Sequence, residues 1–126
     1  MINGKVTSGI GQGKQFMSIP EYLEQFQNKL GFSPFAGTLN IEIAKQLVLD
    51  KPFTTINGFE KSDKKFGYIK CFRAKIISNT KQENVIIIAP EKTQHSNNIV
   101  EIIHEKNLRE SLHLNDGNRV KLEVLL

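Results

Sequence analysis

A two-residue apolar period recurs along this chain and constrains its fold more than any other feature. Val120, Leu122 and Val124 alternate with Lys121 and Glu123, and Leu39, Ile41 and Ile43 alternate with Thr38, Asn40 and Glu42. Successive side chains of a strand point to opposite faces, so each run presents one apolar and one polar face. Ile99 to Ile103 reads as another strand, and the unbroken apolar run Val85 to Ala89 fits a strand buried on both faces. Tyr68 to Ile77 is longer, and its apolar phase slips between Cys71 and Phe72, as a β-bulge would produce. Near the start, Lys5 to Ser8 forms a short strand that runs into the glycine loop Gly9-Ile10-Gly11-Gln12-Gly13.

Helical signals are fewer. Ser18 and Glu21 have capping-box spacing, and Pro20 falls in the first turn, where it costs little. Ile19, Tyr22, Leu23, Phe26 and Leu30 then make one apolar face, and Gly31 is a natural stop. Asn107 and Glu110 are placed to cap a short helix through Leu112, and Asp116-Gly117 is a turn signal. Many short strands with one or two helices predict a mainly β fold with short helices, a small β-barrel whose closure removes exposed strand edges.

Size and composition narrow the function classes. A chain of 126 residues fits one domain, residues 1–126, with a core of its own. It has no apolar run near the ~20 residues that span a bilayer, so no membrane partner is expected. Met1 to Gly13 is too polar for a signal peptide. The single Cys71 cannot form an internal disulfide, which agrees with a reducing compartment, and a cytoplasmic location follows. Cys71 lies in a strand-like run and reads as a small core hydrophobe. The formal charge of +4 suits an anionic partner: a nucleotide, a nucleic acid or acidic neighbours. The densest charge cluster, Glu60 to Lys65, mixes signs and reads as a solvated loop.

Four segments could carry chemistry. The three alternate glycines Gly9, Gly11 and Gly13 let bare backbone N–H groups approach a phosphate, although a glycine-rich hairpin turn explains them equally well. Neither the Gly-Lys-Ser/Thr ending of a P-loop nor the spacing of the dinucleotide fingerprint is present. Thr38 and Asn40, two apart on a strand, share a face and offer hard oxygen ligands suited to magnesium; a merely polar outer face is the alternative. The stretch Pro90 to Ser96 holds Thr93 and His95 in a turn after a buried strand, a common place for binding groups. Beyond it, Glu101 shares one strand face with Ile99 and Ile103. A carboxylate among aliphatics needs a partner or a purpose, so Glu101 is the general-base candidate, with an exposed edge strand as the alternative. The fourth segment is Asn107-Leu108-Arg109-Glu110, which also reads as a helix cap beside a solvated arginine. His104 and His113 have no metal-ligand spacing with each other or with Cys71, so no zinc site is expected.

Taken in order, these pieces resemble the compact archaeal family of CTP-dependent riboflavin kinases. The matching residues are Gly4-x-Val6-x-Ser8-Gly9-x-Gly11-x-Gly13 and Gly31-Phe32-x-Pro34-Phe35-x-Gly37-Thr38-Leu39-Asn40. Pro90-x-x-Thr93-x-His95-Ser96, Glu101-Ile102, Leu108-Arg109-Glu110 and Leu114-x-Asp116-Gly117 complete the set, while Leu47 to Asn84 matches only loosely. The resemblance implies a six-stranded cradle-loop barrel that transfers the γ-phosphoryl group of CTP to the riboflavin 5′-hydroxyl, giving FMN and CDP. It implies that Gly9, Ile10, Gly11, Gln12, Gly13 and Lys14 hold the nucleotide phosphates and that Asn107, Leu108, Arg109 and Glu110 contact the nucleotide. Thr38 and Asn40 would ligate Mg2+, and Thr93 and Glu101 would contact the flavin. Ala36 stands where the family often has proline, and His104-Glu105 where it often has Ala-Pro.

The competing function is a non-catalytic nucleic-acid-binding small β-barrel module. That reading needs a basic stripe with interleaved aromatics, which the chain lacks, so no nucleic-acid partner is expected. A flavin binder without kinase activity is disfavoured by the intact Thr38 and Asn40. The expected working unit is a monomer.

Overall fold

A computed structural model of the chain describes residues 1–8, 16–91 and 98–125. Nine strands and two helices are assigned there: β1 (Ile2–Thr7), α1 (Pro20–Leu30), β2 (Leu39–Ile43), β3 (Thr54–Ile56), β4 (Phe59–Lys61), β5 (Lys64–Phe66), β6 (Ile69–Ser78), β7 (Lys81–Pro90), β8 (Ile99–Ile103), α2 (Leu108–Ser111) and β9 (Arg119–Val124). The strand neighbours run β6-β7-β8-β2-β1-β9, and β9 pairs back onto β6, so six antiparallel strands close into a ring. The mainly β fold with short helices is therefore as expected, and the closed ring has the strand number implied by the family.

The inside of the ring is filled by the alternating positions. Leu39, Ile41, Ile43, Val100, Ile102, Val120 and Leu122 all join one buried cluster with Phe72, Ala74, Ile76, Val85 and Ile87. Leu108, Leu112 and Leu114 from α2 and its exit belong to the same cluster. A second apolar layer lies outside the ring, where Tyr22 and Phe26 of α1 pack over Ile69, Cys71, Ile86, Ile88 and Ile103.

This second layer corrects the expected bulge in β6. The β6–β7 register is unbroken from Ile69↔Pro90 to Ser78↔Lys81. Ile69 and Cys71 face the α1 layer, whereas Phe72, Ala74 and Ile76 face the ring interior. The phase slip is a change of buried face along a regular strand. Val85 to Ile88 are continuously apolar for the same reason, since both faces of β7 are covered.

Two local expectations also change. The residue preceding α1 is Ile19 in extended conformation, with no side-chain cap bond, so the Ser18–Glu21 capping box is not formed. Glu21 instead pairs with Lys61 at 2.8 Å. At the other end Gly31 stops the helix in the left-handed region, φ 82°, as expected. The Glu60–Lys65 cluster is a hairpin, not an irregular loop: β4 and β5 pair around Ser62 and Asp63, both at positive φ. Its Phe59 and Phe66 stack at 4.7 Å and pack edge-on against Tyr22.

Cys71 is fully buried, and desolvation pushes its thiol up to about 12. It is a core residue, as its strand position implied.

Candidate active site

Strand register brings the polar residues together. β2 and β8 run antiparallel with Asn40 directly opposite Glu101. Both are buried on the outer face of the ring, Asn40 at 7% exposure and Glu101 at 2%. Since β8 has β7 on one side and β2 on the other, Glu101 is not on an edge strand. Thr38, just before β2, places its hydroxyl 3.5 Å from Asn40 Oδ1 and 3.4 Å from Glu101 Oε1. Its single proton serves one of these acceptors at a time, and both separations exceed the ~2.7–2.8 Å of a strong O–H···O bond. Two neutral oxygens and a carboxylate thus converge without closing tightly on one another. Thr38 and Asn40 supply hard oxygens of the kind magnesium takes, with phosphate oxygens and water left to complete its shell.

A cavity of about 230 Å³ adjoins this cluster through Thr38. Phe35, Gly37, Asn107, Leu108 and Arg109 also line it. Asn107 is the N-cap of α2, and its side-chain oxygen accepts the Arg109 N–H at 3.1 Å. Glu110 is exposed and lies outside that lining.

Arg109 is more than a solvated arginine. Its guanidinium donates to Asp116 Oδ1 at 2.7 Å and to the Thr7 carbonyl at 3.3 Å. The Ser8 hydroxyl donates to the other Asp116 oxygen at 2.5 Å. These two bonds, Ser8 foremost, hold the exposed Asp116 carboxyl below its ordinary range. The α2 segment is thereby tied to Ser8, the residue that opens the Gly9–Lys14 segment. Gly9 to Lys14, Thr93 and His95 themselves lie outside the described residues.

His104 braces the cavity. Its carbonyl accepts the Phe35 N–H at 2.8 Å. Its Nδ1 accepts the Lys106 N–H at 3.0 Å, and its Nε2 lies 3.5 Å from Glu83 on β7. Phe35 and Asp116 fall in the matched sequence pattern, but their contacts, like those of His104, join segments far apart in the chain and could not be read from spacing.

A second cavity, about 280 Å³, has walls of Leu47, Leu49, Phe72, Pro90 and Val100 with Tyr68 and Glu91 at its polar side. A larger one, about 910 Å³, runs past Asn3, Lys5, Glu42, Arg119 and Lys121 and includes none of the predicted site residues.

Comparison with known proteins agrees with the residue pattern. Residues 6–124 match a family model named CTP-dep_RFKase and described as a domain of unknown function, DUF120. The chain is 40% identical over 132 residues to a riboflavin kinase of Thermoplasma acidophilum, covering 98% of this chain and 57% of that protein. It is 36% identical over 130 residues to a riboflavin kinase of Haloquadratum walsbyi, covering 98% of this chain and 56% of that protein. A riboflavin kinase of Sulfurisphaera tokodaii is 39% identical over 132 residues, covering 99% of this chain and 95% of that protein. The chain thus spans little more than half the length of several relatives it matches, and nearly all of another. It belongs to the CTP-dependent riboflavin kinase family.

Proposed function

We propose that this chain transfers the γ-phosphoryl group of CTP to the 5′-hydroxyl of riboflavin, forming FMN and CDP. The observation that carries the reading is the meeting of Thr38, Asn40 and Glu101 beside the cavity lined by Asn107 and Arg109, in a chain of this family. Phosphoryl transfer asks a protein mainly for positioning and charge neutralisation. Backbone amides of Gly9 to Lys14 would cradle the phosphates, and the 107–110 segment would hold the nucleoside. Thr38 and Asn40 would hold Mg2+, which when bound offsets triphosphate charge. Thr93 and Glu101 would contact the flavin, and the 280 Å³ cavity lined by Phe72, Pro90 and Val100 would take its ring. The riboflavin hydroxyl oxygen bonds to the γ-phosphorus, the bond to the β-phosphate oxygen breaks, and Glu101 accepts the hydroxyl proton. The reading includes a monomer at work in the cytoplasm.

Purified protein incubated with riboflavin, magnesium and each nucleoside triphosphate in turn tests this directly, with FMN read by chromatography. FMN should form clearly faster with CTP than with ATP. Equal rates would remove the CTP assignment, and no FMN with any donor would remove the kinase reading.

A further inference from the structure

Among the described residues, two of the three exposed aromatic rings carry a cation. Phe53 carries the Arg73 guanidinium 3.7 Å from its ring centroid, and Tyr68 has Lys70 at 5.6 Å. Phe35 is 45% exposed, and among the described residues no ring or cation packs on it. It lines the 230 Å³ cavity together with Asn107 and Arg109. An exposed phenyl face costs free energy in water, and one held beside a ligand cavity is suited to cover a flat ligand.

The backbone presenting that ring is stiff. Pro34 before it is buried, and the Phe35 N–H is bound by the His104 carbonyl. His104 is itself anchored at both ring nitrogens, toward Lys106 and Glu83. An anchored backbone fixes where the ring is presented and lowers the ordering cost of binding.

We infer that Phe35 is the platform on which the base of the bound nucleotide stacks. The inference rests on the nucleotide reading of this cavity and adds a residue to it. Stacking is tolerant of base identity because every base has a π-face, so Phe35 contributes affinity and leaves base choice to other groups.

The test compares Phe35→Ala and Phe35→Trp with the wild type. CDP affinity by calorimetry should fall about tenfold in Phe35→Ala, the order expected for losing one base stack, and should persist in Phe35→Trp. KM for CTP should rise by a similar factor, with kcat changing far less and KM for riboflavin staying put. Inhibition by inorganic tripolyphosphate, which has no base, should be equally strong in all three proteins. Unchanged CDP affinity in Phe35→Ala would overturn the inference, as would a parallel loss of tripolyphosphate inhibition or a rise confined to the riboflavin KM. A wild type that makes no FMN would overturn the kinase reading, while the CDP titration would still decide the role of Phe35.

Discussion

Glu101 is the residue on which the proposed chemistry turns. Buried at 2% exposure and opposite Asn40, it sits where a carboxylate serves a purpose beyond solubility. Glu101→Gln keeps the shape and one acceptor but removes the base. A general base is worth ~10²–10⁴-fold, so the single-turnover rate should fall by that order while riboflavin affinity barely moves. An unchanged single-turnover rate would end the base assignment. Asn40→Ala and Thr38→Val each delete one hard oxygen. Both should cripple turnover at limiting magnesium and recover in part when magnesium is raised; near-normal rates in both at limiting magnesium would rule out the metal role. The shared face of Thr38 and Asn40 was legible in the sequence because it follows from a local period. Their meeting with Glu101, 63 positions from Thr38, was not, because it depends on the register between β2 and β8.

Elements show where periodicity misleads. Alternation found β2 and β9 because each has one apolar face turned inward. It misread β6 because a strand covered on both sides carries no clean alternation; only the α1 layer outside the ring explains Ile69 and Cys71. Strands β3, β4 and β5 have three residues each, too short for a period to register. The Ser18–Glu21 spacing failed because Ile19, not Ser18, is the N-cap, which puts Glu21 at the second helical position. The Ser8–Asp116–Arg109 tie joins two segments that sequence spacing could only name separately. Asp116→Asn should loosen that tie and raise KM for the nucleotide several-fold, with little change in Tm, since the pair is exposed. Added salt should narrow the gap between variant and wild type. The Asp116 carboxyl is depressed, so the tie is fully present above the ordinary carboxylate range and is lost only as pH falls through the lowered value. The wild-type advantage should therefore persist from neutral pH down to about 5. A wild-type advantage that vanishes already at pH 6 would contradict this account.

At the scale of the whole molecule, the ring and the α1 layer share one wall, and Cys71 lies inside it. Burial raises its thiol from an ordinary 9.0 to about 12. A native thiol that stays protonated while the unfolded one ionises contributes nothing against folding below pH 9 and destabilises the native state progressively as pH rises toward 12. Thiol reagents should therefore leave the folded protein unlabelled at pH 8, and labelling should track denaturant unfolding with the same midpoint as the loss of β-sheet signal. Fast labelling of the native protein would contradict the buried placement. The β2–β8 pairing has a consequence of another kind. A slip of one residue would turn Glu101 into the ring interior and expel Val100 and Ile102, because the side-chain period of a strand is two. On the proposed role of Glu101, only correctly registered molecules would be competent, and titrating active sites against total protein would count them in any preparation.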